Sequence, residues 1–328
     1  MKYEISAIGN CVQDIFILAN SRIVNSSKKS DSGKLLAYQY GDKVNVDVLK
    51  YSLGGEACNA AVSIRRLGLK SAIVSMVGDD LASREVLSQA KRERVGTSFL
   101  ISENNKEIGR SFILLGPDRD RTILAYRTNN DFKKVLLGKM FRSSCSYYIG
   151  GINKYSAILQ KPILNDAIRH KKDIYINPSA YQIDYDKSTL KKILRYTKIF
   201  AANVEESRAI VGKKKIKIKD LLSSIYGLGP KVVLITDGKR GAYAYDGNHF
   251  YKSGIYSEKV LDATGAGDAF FSTFVVAYRK GYNIEGSLKL SAINASSVIS
   301  KYGAQAGLMD FETLLKIGSR NKVKTSKF

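Results

Sequence analysis

Leu261-Asp262-Ala263-Thr264-Gly265-Ala266-Gly267-Asp268-Ala269-Phe270-Phe271 sets two glycines and an alanine directly ahead of an apolar run. The run reads as a helix over 265–279. Small residues let the backbone approach a ligand closely. The free N–H groups at a helix N-terminus, aided by the helix dipole, form an anion site. Two readings fit. In one, Thr264 or Asp268 merely caps the first-turn amides. In the other, the amides stabilise the negative charge on a transferring group, and Asp268 takes a proton from an attacking hydroxyl. The flanking Asp-x-Thr and the apolar helix favour the second.

Outward from this segment, strand-length apolar runs alternate with helical patterns. Strands are expected over 3–9, 71–77, 147–149, 173–176, 199–202 and 232–236, with a hairpin over 241–245 and 249–251 around Asp246-Gly247-Asn248. Helices are expected over 56–67, 81–93 and 284–302. The first of these carries an apolar stripe of Ala57, Ala60, Ala61, Ile64 and Leu67 and stops at Gly68. Shorter, partly exposed strands fall at 35–40, 44–48, 111–115 and 122–126. This alternation predicts a doubly wound α/β fold, a mostly parallel sheet flanked by helices. The strands within roughly 12–50 and 107–130 form a small β lid. No internal repeat is present, so 1–318 reads as a single domain and 319–328 as a basic tail, frayed after Gly318.

Further segments carry candidate chemistry. Gly54-Gly55-Glu56-Ala57-Cys58-Asn59 enters a helix through two glycines, and Asn59 adjoins its apolar stripe. An amide there could donate to and accept from a hydroxylated ligand. The plain alternative is a glycine turn followed by a helical asparagine. Asp14 follows the first strand, where an ordinary turn residue is the competing reading. Asn203-Val204-Glu205-Glu206 suits either a helix N-cap with an acidic first turn or an oxygen-donor pair near Mg²⁺.

Taken with the order of these segments, the chain resembles the ribokinase family of carbohydrate kinases, the PfkB type. The 262–270 stretch looks like the family's C-terminal motif almost letter for letter, and the Gly54-Gly55 segment is similar to its N-terminal motif. The resemblance runs from Gly9 to about Leu308. It implies ATP and Mg²⁺ as cofactors, Asp268 as catalytic base and the Gly265, Ala266 and Gly267 amides as anion hole. It implies that Asp14, Gly54, Gly55 and Asn59 hold a substrate, with Asp14 on a hydroxyl pair. Asn203 and Glu206 would order water around Mg²⁺. Thr236, Gly238 and Gly241, in Thr236-Asp237-Gly238-Lys239-Arg240-Gly241, would approach the nucleotide, and Asn294 would flank the adenine. Asp262 and Thr264, with the loop at Gly303-Ala304, would bind K⁺ or another monovalent cation, as in many relatives.

The implied activity is transfer of the γ-phosphoryl group of ATP to a hydroxyl of a sugar or sugar-like substrate. The alternatives are a nucleoside kinase of the same family and a non-catalytic polyanion-binding protein with the same fold. Three departures bear on the substrate. Gly150-Gly151-Ile152-Asn153 lacks the acidic residue of some ribose-specific relatives, and Arg127-Thr128-Asn129-Asn130 replaces a frequent Gly-Ala-Asn. Arg110 either faces the substrate or is a solvated lid charge.

Composition narrows the class. The 328 residues carry 53 Lys+Arg against 30 Asp+Glu, hence +23. The basic residues are spread along the chain, and their densest runs, at 213–219 and 316–327, lack interleaved aromatics. That argues against a nucleic-acid partner. No apolar run is long enough to span a membrane, and no secretory leader is evident. Three widely spaced cysteines and two distant histidines give no disulfide framework, zinc site or histidine triad, and suit the cytoplasm. Exposed lid edges invite pairing into a homodimer.

Overall fold

Short apolar strands pair side by side where the alternation places them. The computed structural model describes residues 2–26, 33–118, 120–256, 260–320 and 323–328. The first part of the chain gives β1 (Ile5–Ile8), β2 (Val12–Ala19), β3 (Arg22–Asn25), β4 (Lys34–Ala37), β5 (Val46–Gly54), α1 (Glu56–Arg66), β6 (Ser71–Val77), α2 (Leu81–Arg92), β7 (Gly96–Ser102), β8 (Gly109–Leu115) and β9 (Arg121–Tyr126). The middle gives α3 (Leu137–Ser143), β10 (Ser146–Gly150), α4 (Gln160–His170), β11 (Asp173–Asn177), α5 (Ala180–Asp184), α6 (Lys187–Leu194), β12 (Thr197–Asn203), α7 (Val204–Val211) and α8 (Ile218–Tyr226). The last part gives β13 (Val232–Thr236), β14 (Ala242–Tyr245), β15 (Phe250–Ser253), α9 (Ala266–Arg279), α10 (Ile284–Ile299), α11 (Phe311–Arg320) and β16 (Thr325–Lys327).

The main sheet has the order β16-β15-β14-β13-β12-β11-β10-β1-β6-β7. It is parallel from β13 to β7 and antiparallel at β14, β15 and β16. The expected doubly wound sheet is therefore present. Its order reverses beside β1, which pairs with both β6 and β10. In such sheets the crevice at the strands' C-terminal ends, at the reversal, is the natural ligand site. Gly9-Asn10 and Gly150-Gly151 leave the sheet there.

Apolar side chains fill both faces of the sheet. On one face Ile5, Ala7, Tyr148, Ile199 and Leu234 pack with α1, α9 and α10. On the other, Ile8, Val74, Ile149, Phe200 and Ile235 pack with residues of α4, α6 and α8. The stripe expected on α1 is wider than read: every residue from Ala57 to Ile64 is buried. Small residues all round let α1 lie between the sheet and α9, where the Ser272 hydroxyl donates to Ser63 Oγ at 2.7 Å.

The lid is a second sheet of order β5-β2-β8-β9, with β3 and β4 paired beside it. Asp14 aligns with Ser52 and Ser111, so these three share one face with Phe16 and Ile113. Two expectations need correcting here. Asp14 lies inside β2, a separate strand after the one read over 3–9, rather than in a turn that follows it, and β5 runs on to Gly54 rather than stopping at Val48. Polar residues on the ligand face interrupt both hydrophobic patterns. β7 went unread for a similar reason, since only part of it is buried.

The tail is also different from expectation. Rather than fraying after Gly318, the chain continues α11 to Arg320 and adds β16 to the sheet edge against β15. Val323 is buried, and the Phe328 ring lies 5.6 Å from Tyr243 and 6.0 Å from Phe250. Its three residues, Thr-Ser-Lys, carry no hydrophobic alternation, which concealed this strand in the sequence. Removing residues 323–328 is expected to lower Tm by roughly 3–8 °C, read by calorimetry. An unchanged Tm would mean that the edge strand adds no stability.

Candidate active site

The turn before α9 is built to leave amides free. Gly265 has φ +78, and a Cβ there would run into Ala304. The N–H groups of Gly265, Gly267 and Asp268 have no acceptor among the described residues, and that of Ala266 makes only a 3.4 Å bond to Ala263 O. No side chain caps the helix, so the capping alternative for Thr264 and Asp268 falls. A side chain at Gly267 would meet nothing within 4 Å, which leaves its amide facing open space.

Asp262 shapes this turn from behind. One carboxylate oxygen accepts from Thr264 N at 3.0 Å and from the Thr264 hydroxyl at 2.7 Å, and the other accepts from Gly303 N at 3.2 Å. Three internal donors occupy the carboxylate, and the threonine hydroxyl is turned toward it.

Asp268, in the first turn of α9, is held from α1. Asn59 Nδ2 donates to Asp268 Oδ2 at 2.8 Å. Gln305 Nε2 donates to Asn59 Oδ1 at 2.9 Å, and Gln89 Nε2 to Gln305 Oε1 at 2.7 Å. Arg66 anchors the same loop. Its guanidinium pairs with both oxygens of Glu93 and donates to the carbonyls of Gln305 and Leu308. Asn59 thus fixes one oxygen of Asp268 and leaves the other without a hydrogen-bond partner among the described residues.

Burial pushes Asp268 up to about 7, and the Glu56 charge adds to the effect while Asn59 opposes it. Asp14 is likewise pushed up to about 7, first by burial and then by Asp262 and Glu56, against the Ser111 hydroxyl and the Arg127 charge. Gly54 makes room for it, because a Cβ there would strike the Asp14 carboxylate. Gly55, at φ +91, passes equally close to the Asn10 carbonyl. Asp14, Gly54, Gly55 and Asp268 thus gather at one end of the sheet. Glu56, given no role from the sequence, belongs with them. A Cβ at Gly151 would strike its carboxylate, which places it over the reversal point. Its position next to two glycines at a helix start was the available signal.

Asn203 and Glu206 form a capping box on α7. Asn203 Oδ1 accepts from Glu206 N at 2.8 Å, and Asn203 N donates to Glu206 Oε2 at 2.9 Å. The cap is real, and it leaves Glu206 Oε1 without a partner among the described residues. Burial raises the Glu206 carboxyl above its ordinary range, and Glu205 and Glu56 raise it further. No cluster of three or more His, Cys, Asp or Glu side chains among the described residues could by itself hold a metal.

A cavity of about 330 Å³ opens beside Gly267. Thr236, Gly238 and Gly241 line one side. Its apolar walls, Ile255, Tyr256, Val260, Phe270, Ala295 and Ile299, were not foreseen, since nothing distinguishes them from core residues in the sequence. Two expected residues are elsewhere. Asn294 is fully buried, donates to the Thr273 hydroxyl at 2.8 Å and accepts from Met309 N at 3.0 Å. It braces α9 against α10 and the following loop. Arg110 lies on the lid face opposite Asp14, paired with Asp80 at 2.8 Å and Glu107 at 2.7 Å. That satisfied lid charge was one of its two readings.

The Asp268 carboxyl is expected to titrate near 7 in a ¹³C-resolved NMR titration, and Glu56→Gln is expected to move its midpoint to lower pH. A midpoint near 4 in the unmodified protein would contradict this electrostatic account.

The profile of the "pfkB family carbohydrate kinase" matches residues 29–310. The ATP-dependent 6-phosphofructokinase of Thermoanaerobacterium thermosaccharolyticum is 23% identical over 93% of this chain and 99% of its own length. The nucleoside kinase of Methanocaldococcus jannaschii superposes with a TM-score of 0.75 at 20% identity, covering 98% of this chain and all of that one. A ribokinase II candidate from Escherichia coli, solved with ATP and Mg²⁺, gives a TM-score of 0.77 at 17% identity, over 97% of this chain and all of its own. At these identities the superpositions show a common fold. The family match, spanning most of the sequence, carries more: this chain belongs to the pfkB family of carbohydrate kinases.

Proposed function

We propose that this kinase transfers the γ-phosphoryl group of ATP to a hydroxyl of a sugar or sugar-like acceptor, with Asp268 as general base. One observation carries the proposal. A carboxyl raised to about 7 and three amides without acceptors among the described residues occupy the first turn of one helix, at the mouth of an apolar cavity. The free amides are those of Gly265, Gly267 and Asp268, a small change from the expected Gly265-Ala266-Gly267 set.

The apolar cavity suits an adenine ring, and a base seated there directs its phosphates toward Gly267. The Escherichia coli protein of the same fold, solved with ATP and Mg²⁺, supports a nucleotide and a magnesium ion as ligands. Mg²⁺ commonly takes one or two carboxylates and keeps several waters. Glu206 Oε1 fits that need, and the ion when bound would neutralise phosphate charge. The monovalent cation fits less well, because the Asp262 carboxylate is already taken by three donors.

The acceptor hydroxyl approaches the Asp268 oxygen that Asn59 leaves free. Its proton passes to that oxygen as the acceptor O–P bond forms and the bond from phosphorus to the ADP oxygen breaks. The helix amides hold the charge on the phosphoryl oxygens throughout. Asp268 then returns its proton to solvent. A base near 7 is half ionised at neutral pH, which balances availability against proton affinity. The lid sheet covers the acceptor and excludes water, so that ATP is not simply hydrolysed. Asp268→Asn is expected to lower kcat by about 10²–10⁴-fold in a coupled ADP assay. Turnover equal to the unmodified enzyme would remove Asp268 from this role.

The outer face of the lid supports a homodimer. Leu49, Tyr51, Leu124 and Tyr126 are exposed there beside half-buried Ile17, Phe112 and Leu114. A contiguous apolar face of this kind marks an association surface, and a second copy of the same sheet is its natural cover. The free cysteines fit a reducing, cytoplasmic setting. Replacing Tyr51 and Leu124 by Glu together is expected to convert the dimer to monomer in sedimentation velocity. A monomeric unmodified protein at micromolar concentration would remove the dimer.

A further inference from the structure

Three amide side chains stand in line behind Asp268. Gln89 Nε2 on α2 donates to Gln305 Oε1 at 2.7 Å, Gln305 Nε2 to Asn59 Oδ1 at 2.9 Å, and Asn59 Nδ2 to Asp268 Oδ2 at 2.8 Å. Each amide has one donor end and one acceptor end, so a line of them has a direction. Turning one amide over sets two oxygens or two N–H₂ groups face to face unless the others turn with it. An ionised Asp268 only accepts, and at every link the donor points toward it.

The line is held along its length. Asn59 and Gln305 are buried. The Gln305 backbone carbonyl accepts from Arg66, which is itself paired with Glu93. Gln305 Nε2 also donates to Cys58 Sγ at 3.4 Å, which leaves its oxygen to Gln89. Gln89 is half-buried, and its side chain makes no other hydrogen bond among the described residues.

The charges at the other end make the direction matter. Burial favours the neutral form of Asp268, and so do Glu56 at the start of α1, Asp14 on β2 and Glu206 on α7, while the Asn59 donation favours the ionised form. The Tyr148 phenol on β10 faces the same carboxyl. A reversed line would present Asn59 Oδ1 to Asp268, and two oxygens in contact would oblige the carboxyl to keep a proton.

Resting on the kinase reading above, we infer that Gln89, two side chains removed from the general base, is a positioning residue for it. By donating to Gln305 it fixes the direction of the amide line and so keeps an N–H, rather than a carbonyl, against Asp268. Asp268 must be ionised to take a proton. Weakening the donation therefore raises its midpoint and moves the acid limb of kcat/KM to higher pH, with activity recovered above the new midpoint.

The test compares Gln89→Leu, Gln89→Glu, Gln305→Met and Gln89→Glu/Gln305→Met with the unmodified enzyme. The readouts are a ¹³C-resolved titration of Asp268 and the pH dependence of kcat/KM for whichever of ribose, fructose and adenosine turns over fastest. Gln89→Glu offers Gln305 an acceptor where a donor stood and reverses the line. It is expected to raise both midpoints by about half a pH unit or more, and Gln89→Leu, which only frees the line, by less. The double variant is expected to match Gln305→Met, because the line is already cut. Titration midpoints that move in this way, with no turnover of any acceptor, would keep the amide line and remove the kinase reading. Unmoved midpoints in both Gln89 variants overturn the inference, even if Tm falls or the rate drops equally at every pH. So does a rise in Gln89→Glu that persists in full on top of Gln305→Met, the mark of direct charge repulsion.

Discussion

The hydrogen bond from Asn59 to Asp268 spans 209 residues of sequence and joins the starts of two buried helices. Everything at the site depends on those helices meeting. α1 can lie against α9 because small residues face the contact, and the Ser63–Ser272 bond fixes their register one turn further on. The loop after α10 then closes over the junction, held by Arg66 and by the Gln89–Gln305–Asn59 chain. Rotation of either helix would take Asn59 off Asp268 and release the hold that α1 has on that carboxyl. Fully used hydrogen-bond chains of this kind rigidify a site, because breaking one link strands a buried polar group.

The same junction is electrostatically expensive. Asp14 and Asp268, both raised to about 7 mainly by burial, also repel and are repelled by Glu56. In the unfolded chain such carboxyls lose their protons near 4. Between about 4 and 7 the folded protein therefore holds more protons than the unfolded one. The stability these groups contribute is full below about 4 and is lost as pH rises through about 7. Crowded acids weaken the fold where the enzyme must work, a common trade between stability and activity. The surplus of basic residues elsewhere, +23 overall, is consistent with a surface that tolerates an acidic centre and attracts anionic ligands.

Much of this was legible in the sequence. The Gly265-to-Asp268 spacing leaves the backbone little choice, and strand-and-helix alternation gave the doubly wound sheet. What escaped was decided by partners rather than by local pattern. Asn59 and Asn294 have the amide chemistry to touch a ligand, yet each is committed to a protein side chain distant in sequence. Arg110 is one residue out of phase with Asp14's face, a parity visible only once β2 and β8 are in register. The cavity walls are ordinary apolar residues, and β16 is a three-residue polar segment, Thr325–Lys327, whose sheet partner is not evident from its own composition. Glu56 was within the quoted motif, but its direction over Gly151 follows from the helix entry.

A crystal structure of the protein with a non-hydrolysable ATP analogue, Mg²⁺ and an acceptor tests the central claim most directly. The account predicts terminal phosphate oxygens within hydrogen-bond distance of the Gly267 and Asp268 amides, and the acceptor hydroxyl on the Asp268 oxygen opposite the one that Asn59 holds. A phosphate seated away from the α9 N-terminus, or an Asp268 carboxyl out of reach of the acceptor, would contradict it.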